Sequence, residues 1–369
     1  MCSAVTGGGT HLRHLFRSSL PPVTAVHTIQ KNIPLRELVT MRVGGLARFF
    51  SCVKDIEELS QSIQFAKKEN LPVFILGEGS NIIVGDKGFP GLVIKTAIRG
   101  ISFFDEANGK TLVSAAAGEN WDRFVQKSVA KKLWGVENLS AIPGTVGAAP
   151  VQNVGAYGVE VKDTIHSVHV FDMHTVKERT LSRAECGFSY RDSIFKKPEG
   201  KSLVITKVNF MLKRDGKPQA AYKDIDVSLK EKKLKDPTIE DMRNIILRIR
   251  RNKLPSVKKV GTVGSFFKNP ILSREKYEAL AYLYPGLPQY PESSGHVKIP
   301  LAWIIDRVCG RRGMGRNGLS LHDTQPLALV HHGGSNAAEI LEFANEIARD
   351  IKRHTGIDAE FEVSLVGEF

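Results

Sequence analysis

Residues 138–160 read NLSAIPGTVGAAPVQNVGAYGVE, and this stretch decides how the chain is organised. Its central part, 142–158, holds four glycines and several alanines. Residues this small cannot fill a hydrophobic core by themselves, but they let backbone pack closely around a large flat ligand. The stretch therefore predicts either a ligand cradle or a series of tight turns.

A second glycine-rich stretch, Gly77-Glu-Gly-Ser-Asn81, follows the apolar segment 71–76, which is typical of a short buried strand. Glycine lets backbone N–H groups approach phosphate oxygens, and Ser80 adds a hydroxyl. The stretch is not G-x-G-x-x-G and no helix is predicted after it, so a Rossmann site is excluded; no P-loop motif occurs either. A tight turn is the alternative, but two such stretches favour a dinucleotide cofactor, which needs a diphosphate cradle and a surface for its rings.

The length of 369 residues indicates two or three domains. An apolar content of 42% and a charged content of 25% are ordinary for a cored globular protein. The longest apolar run, 299–305, is too short to span a bilayer, so no membrane partner is expected. The cysteines are far apart and form no CxxC pair, so neither a metal site nor a disulfide framework is expected. They are Cys2, Cys52, Cys186 and Cys309.

The net charge of +13 fits either nucleic-acid binding or phosphorylated substrates. Residues 1–36 contain four basic residues and no acidic one, and residues 223–259 contain twelve basic and six acidic residues. No RNA-binding motif accompanies these segments, so no nucleic-acid partner is expected.

The N-terminal residues 1–28 are rich in Ser and Thr and carry two arginines and no acid. Leu12, Leu15 and Phe16 would share one face if this segment formed a helix, and the composition resembles a transit peptide. A disordered extension or a misplaced start is the alternative. No apolar core follows the arginines, so a secretory signal is not expected. The predicted location is cytoplasmic, or an organelle or endosymbiont if the leader is an address.

Hydrophobic periodicity predicts both helices and strands, so the fold class is α+β or α/β in more than one domain. The predicted helices begin near 55, 121, 238, 300 and 337, and the predicted strands lie at 71–76, 91–94, 111–115, 165–171 and 203–211.

Five motifs together resemble the UDP-N-acetylenolpyruvoylglucosamine reductase family, in the family's own order over about nine-tenths of the chain. They are the two glycine-rich stretches, FSYRDSIFK at 188–196, GSFFKNP at 264–270 and EFEVSLVG at 360–367. The YRDSIFK form and the AYKD loop around Tyr222 resemble the family's first subtype, in which a tyrosine loop closes over the substrate.

The resemblance implies an α+β fold. It would consist of a two-domain FAD-binding unit of the vanillyl-alcohol oxidase (PCMH) type, followed by a C-terminal α/β substrate-binding domain. The expected division is a leader at 1–28, FAD-binding subdomains at 29–98 and 99–253, and a substrate domain at 254–369. The last strand is expected to return to the first subdomain. A monomer is expected.

The resemblance implies that NADPH, through bound FAD, reduces the enolpyruvyl ether of a UDP-sugar. The family motifs make Arg191 the residue that stabilises the enolate, Ser265 the proton donor to carbon, and Glu362 the third catalytic residue. From the residues alone, a surface ion pair, a turn hydroxyl and a solvent-facing acid remain the alternatives.

The resemblance also implies ligand contacts. The expected cofactor contacts are Gly77, Gly79, Ser80, Asn81, Pro143, Gly144, Thr145, Gly147, Gln152, Asn153, Gly155, Ala156 and Tyr157. The expected substrate and nicotinamide-nucleotide contacts are Tyr190, Tyr222, Lys253, Asn269 and Gln325. Lys253 would balance diphosphate charge.

Three positions depart from the family pattern. Pro326 follows Gln325, the pair at 148–149 is Ala-Ala, and Glu78 places a negative charge beside the expected diphosphate, which is unfavourable. Two alternative functions are a flavin oxidase of the same superfamily that acts on another substrate, and a protein that binds FAD without turnover.

Overall fold

A computed structural model describes residues 28–106, 108–292 and 295–369. The predicted leader lies outside these residues except for Thr28. Among the described residues there are seven α-helices: α1 (Ile56–Lys68), α2 (Trp121–Ala130), α3 (Lys223–Glu231), α4 (Ile239–Lys253), α5 (Arg274–Leu283), α6 (Leu301–Trp303) and α7 (Ala337–Thr355).

The same residues form twenty strands, many of them short. They are β1 (Gln30–Pro34), β2 (Leu46–Val53), β3 (Val73–Leu76), β4 (Ile82–Val84), β5 (Phe89–Thr96), β6 (Ile101–Asp105), β7 (Lys110–Ala116), β8 (Gly155–Ala156), β9 (Val159–Glu160), β10 (Ile165–Asp172), β11 (Lys177–Ser182), β12 (Leu203–Lys213), β13 (Gly261–Ser265), β14 (Ile271–Leu272), β15 (Tyr290–Pro291), β16 (Val297–Lys298), β17 (Gly315–Arg316), β18 (Leu319–Leu321), β19 (Ala328–His331) and β20 (Ser364–Val366).

The first sheet has the strand order β1-β2-β5-β3, and β5 runs parallel to both β2 and β3. Helix α1 makes the connection from β2 to β3. It begins after Asp55, whose carboxylate accepts a hydrogen bond of 2.8 Å from the backbone N–H of Glu58. Strand β3 is an edge strand that ends at Leu76, so the first glycine-rich stretch begins at this edge of the sheet.

The second sheet is antiparallel, with the order β11-β10-β12-β7-β6. Helix α2 covers it, and the rings of Trp121, Phe124 and Phe210 form its aromatic core, with the Phe124 and Phe210 centroids 4.6 Å apart. The glycine-rich stretch at 142–158 runs between α2 and β10, so both predicted ligand loops start from packed elements.

The third sheet, β13-β19-β18-β17, is also antiparallel and shares a core with α7. Helix α7 has a complete capping box between Asn336 and Glu339 and ends at Gly356, whose φ of +63° favours glycine. The helix predicted near Pro300 is short: three α-helical residues continue as a π-helix over Ile304–Val308.

The strands of the three sheets fall within the three predicted intervals 29–98, 99–253 and 254–369, one sheet in each. The division of the chain into domains at these boundaries stays a prediction. Strand β20 runs parallel to β4, with Leu365 opposite Ile83, so the C-terminal segment lies beside the first glycine-rich stretch. No helix in the described part of the chain is both long and apolar enough to cross a bilayer.

Candidate active site

The two glycine-rich stretches lie against each other. The Ser80 hydroxyl donates to the Pro143 carbonyl at 3.2 Å, and the Asn81 side-chain amide donates to Gln152 Oε1 at 2.6 Å. The same Asn81 amide donates to the backbone carbonyl of Glu362 at 3.1 Å. Asn81 therefore joins both stretches to the C-terminal motif.

The glycines are needed for this close approach. A Cβ on Gly77 would lie 3.0 Å from Thr145 Oγ1, and one on Gly147 would lie 2.6 Å from Ala117 Cβ. The Thr145 hydroxyl and the backbone N–H groups of Gly77 and Gly79 suit a diphosphate, and the small residues suit a flat ring system. The residues present therefore fit FAD.

The last part of the signature is a small hairpin of β8 and β9. Asn153, a predicted cofactor contact, is fully buried, and its amide donates to Glu160 Oε2 and to the Ser189 carbonyl, both at 2.9 Å. Its side-chain oxygen accepts from the Lys162 N–H at 3.1 Å. The Asn153 side chain thus holds the hairpin against the 188–196 motif.

Arg191 and Glu362, 171 positions apart, form an ion pair with Nε 2.8 Å from Oε1. Their side chains are 18% and 11% exposed. Arg191 also donates from Nη2 to the Gly155 carbonyl at 2.8 Å, and its guanidinium carbon lies 5.2 Å from the centre of the Tyr190 ring. Its φ of +53° is unusual outside glycine and marks a position held by its surroundings.

The electrostatics of this pair are those of a site with little water. Burial raises the pKa of the Glu362 carboxyl above its ordinary value, and the charge and hydrogen bond of Arg191 oppose this rise. Burial would lower the pKa of Arg191, but Glu362 outweighs it and the pKa is raised, so the guanidinium stays charged. Burial also raises the pKa of Tyr190. The site thus combines a permanent cation with a carboxyl whose pKa lies above its ordinary value.

Ser265, the last residue of β13, lies beside the same motif. The Glu362 N–H donates to the Phe266 carbonyl at 2.8 Å, and the Lys268 N–H donates to the Glu360 carbonyl at 2.8 Å. These bonds bring the GSFFKNP motif alongside 360–362. The ammonium of Lys268 forms an ion pair with Glu360.

The closing motif forms a regular strand only from Ser364 onward. The Glu360 side chain is 71% exposed, whereas that of Glu362 is 11% exposed. The tertiary contacts of Glu362 therefore distinguish it from the exposed Glu360.

The expected substrate contacts lie in two groups. The Asn269 side-chain oxygen accepts from the Leu301 N–H at 2.9 Å, and its backbone forms a hydrogen bond with the Tyr190 side chain, so these two residues are near Arg191. The rings of Tyr222 and Tyr157 meet edge-on with centroids 5.2 Å apart. The cofactor signature therefore contacts the tyrosine loop.

Lys253 closes helix α4, and its ammonium lies 2.6 Å from Asp224 Oδ2 in helix α3. The Thr324 hydroxyl donates to the Lys253 carbonyl at 3.0 Å, which brings the neighbouring Gln325 to the end of α4. Gln325 accepts from the Ala328 N–H at 2.8 Å through its backbone carbonyl, so the turn forms despite Pro326.

Sequence reasoning missed a second cation at Tyr190. The Lys298 ammonium lies 4.8 Å from the centre of the Tyr190 ring and also pairs with Glu292. No sequence signal links residues 108 positions apart, so only the fold could reveal this contact. Glu78 is likewise different from expectation: hydrogen bonds from Asn120 and Gly144 hold its carboxylate.

Comparison with known proteins places these motifs in a family. A family model described as an FAD binding domain matches residues 47–176, and one described as the UDP-N-acetylenolpyruvoylglucosamine reductase C-terminal domain matches residues 255–366. The chain is 42% identical to the UDP-N-acetylenolpyruvoylglucosamine reductase of Neisseria gonorrhoeae, over 84% of this chain and 89% of that one.

It is 40% identical to the corresponding reductase of Chromobacterium violaceum, over 89% of this chain and 96% of that one. The solved structure of the Thermus caldophilus reductase shares the fold, with a TM-score of 0.64 at 24% identity over 92% of this chain and 99% of that chain. The chain therefore belongs to the UDP-N-acetylenolpyruvoylglucosamine reductase family of flavin-dependent oxidoreductases.

Proposed function

We propose that this chain reduces UDP-N-acetylglucosamine enolpyruvate to UDP-N-acetylmuramate, a step of peptidoglycan precursor synthesis, with NADPH as the electron donor and FAD as the carrier. The observation that supports this most directly is the buried pair of Arg191 and Glu362 beside the Ser265 strand. The pair lies next to the two joined glycine-rich loops, since Asn81 bonds to both Gln152 and the Glu362 backbone. The proposed cation and acid are paired, and the backbone after Ser265 is hydrogen-bonded to the Glu362 segment, which supports a common site next to the loops that would hold the flavin.

The reaction adds a hydride and a proton across a carbon–carbon double bond conjugated to a carboxylate. FAD supplies the hydride when bound. As the hydride reaches the terminal carbon, negative charge develops on the carboxylate side as an enolate. The site therefore needs a fixed cation there and a proton donor for the other carbon.

Arg191 is the proposed cation, because a guanidinium pairs with carboxylate oxygens and keeps its charge. Its bonds to Glu362 and to the Gly155 carbonyl orient it before substrate arrives. Glu362, with its pKa raised by burial, can donate a hydrogen bond to the developing enolate in its protonated form.

Ser265 is the proposed donor of the proton to carbon, which balances the reaction as one hydride and one proton added. Lys268 pairs with Glu360, so any stabilisation of a Ser265 alkoxide by Lys268 has to compete with that ion pair. Lys253, at the end of the basic segment, is the proposed partner of the substrate diphosphate, and Tyr222 the residue that closes over it. The chain would do this as a monomer, which light scattering on the purified protein tests.

The decisive experiment separates the two half-reactions under anaerobic conditions. Flavin reduction by NADPH and flavin reoxidation by the enolpyruvyl sugar nucleotide are each followed by flavin absorbance. We expect Ser265→Ala to leave the first within a few-fold of wild type and to slow the second by about 10²-fold or more. Ser102→Ala, on the exposed part of β6, is the matched control.

Two outcomes would contradict the proposal. Wild-type protein that NADPH reduces but the sugar nucleotide does not reoxidise would favour a flavin oxidase with another substrate. Equal rates for Ser265→Ala and wild type in both half-reactions would remove Ser265 from its assigned role.

A further inference from the structure

Glu78 lies between two glycines in the loop expected to hold the cofactor diphosphate, where a negative charge is unfavourable by itself. Its carboxylate is taken up by two donors. Oε1 accepts from the Asn120 side-chain amide at 2.7 Å, and Oε2 accepts from the Gly144 backbone N–H at 3.0 Å. Both donors belong to the second half of the predicted cofactor cradle or to the helix beside it.

Asn120 links this contact to helix α2. Its side-chain oxygen caps the helix by accepting from the Arg123 N–H at 3.0 Å, so the amide orientation is determined from both ends. The Trp121 N–H donates to the Gly144 carbonyl at 3.0 Å. Glu78, Gly144 and the start of α2 thus form a closed set of hydrogen bonds.

This arrangement also explains how the charge is tolerated. The carboxylate faces the N-terminus of α2, where the helix dipole favours an anion, and two N–H groups compensate it. The Gly144 N–H donates to Glu78, and the hydroxyl of Ser80, two residues after Glu78, donates to the Pro143 carbonyl. The two loops are therefore joined at adjacent positions by Glu78 and by Ser80.

We propose that Glu78 is a positioning residue for FAD, which clamps the two glycine-rich loops and α2 at the separation that the cofactor requires. The inference rests on the proposed placement of FAD between these loops. It reverses the sequence-based expectation for Glu78, because the carboxylate would strengthen cofactor binding by holding the cradle.

The test measures the FAD dissociation constant of Glu78→Gln and Glu78→Ala from flavin fluorescence, after the cofactor is removed from the purified protein. We expect weaker binding by about 10-fold for Glu78→Gln and up to about 100-fold for Glu78→Ala, because charge-assisted hydrogen bonds are lost. Glu37→Gln is the matched control: Glu37 is exposed and lines the same cavity of about 610 Å³ as Glu78. It should leave FAD affinity within about twofold.

A second variant tests the clamp itself. Asn120→Ser keeps a capping hydroxyl but removes the amide that Glu78 accepts from, so it should weaken FAD binding as Glu78→Gln does. The double variant should bind FAD little more weakly than either single variant, because both single changes act on the same contact between Glu78 and Asn120. The visible circular dichroism of the remaining bound flavin should change in these variants and not in Glu37→Gln, whereas a merely structural defect would only lower the melting temperature of the apoprotein.

FAD binding by Glu78→Gln as tight as that of wild type, or tighter, would overturn the inference and leave repulsion as the only effect of the charge. Additive losses in the double variant would also overturn it. If Glu78→Ala does not fold, Glu78→Gln decides. Wild-type protein without affinity for FAD would refute the proposed function instead, so the two failures are distinguishable.

Discussion

Arg191→Lys is the sharpest test of the proposed chemistry, because it keeps the charge and removes the geometry. Arg191 uses Nε for Glu362 and Nη2 for the Gly155 carbonyl, both at 2.8 Å. A lysine ammonium is a single point on a flexible stem and cannot span both partners while facing a substrate carboxylate.

The structure gives two expected magnitudes. For stability, one charge-assisted bond of a mostly buried pair is weakened, which should cost about 1–2 kcal/mol of unfolding free energy. For catalysis, the lost fork acts on charge that develops only in the transition state. Removing one such donor typically costs about 10²–10³ in rate, or about 2.7–4 kcal/mol.

The assay is anaerobic stopped-flow absorbance of the flavin. We expect NADPH to reduce the Arg191→Lys protein within about threefold of the wild-type rate, because this half-reaction does not develop the enolate. Reoxidation by the enolpyruvyl sugar nucleotide should fall by about 10²–10³-fold. Arg99→Lys, at a side chain 59% exposed, is the control. Equal losses in both half-reactions would show that Arg191 supports the flavin site and not the enolate.

Three further predictions follow from the surrounding residues. Lys253→Met should raise KM for the sugar nucleotide about tenfold or more with little change in kcat. Lys230→Met, at an exposed lysine of α3, is the control and should leave KM unchanged. Equal KM values for Lys253→Met and wild type would remove Lys253 from the diphosphate site. Burial alone would raise the pKa of Asp122, but hydrogen bonds, chiefly from Arg243, lower it below 3.8. The charged carboxylate therefore stabilises the folded protein above about pH 4, and this stabilisation is lost as the pH falls through the lowered pKa. Denaturant unfolding should accordingly show Asp122→Asn less stable than wild type by about 1–2 kcal/mol at pH 7, with a smaller gap at pH 3; a gap independent of pH would contradict this. Burial raises the pKa of Tyr222 to about 12, so Tyr222→Phe should retain the wild-type pH dependence of KM between pH 6 and 9.

The local sequence patterns predicted five of the seven described α-helices and five of the twenty described strands, and they missed helices α3 and α5. Helices α1 and α4 begin directly after Asp55 and Thr238, at the predicted starts, and each of these residues caps its helix. These signals act within one helical turn, so they survive without knowledge of the fold. The helix after Pro300 also differs from the prediction, because a π-helical turn replaces most of it. Nothing in its apolar pattern distinguishes a π-helix from an α-helix.

The resemblance carried by the motifs predicted the candidate site residues, but not how they meet. Glu360 and Glu362 lie two positions apart in one motif, yet only Glu362 is mostly buried, through its bonds to Arg191 and Phe266. The sequence predicts that the charge of Glu78 is unfavourable. The two groups that compensate this charge lie 42 and 66 positions away, so the local sequence does not reveal them.

The sequence by itself determined the family, the fold class and the motifs, because these depend on residue types and spacings within short segments. Only the tertiary structure decided that Arg191 meets Glu362 and that Lys298 lies over Tyr190. It also decided that Glu78 joins the two glycine-rich loops. Each of these contacts joins side chains on separate elements, and their distance and burial depend on how the elements pack, which periodicity and propensity do not encode.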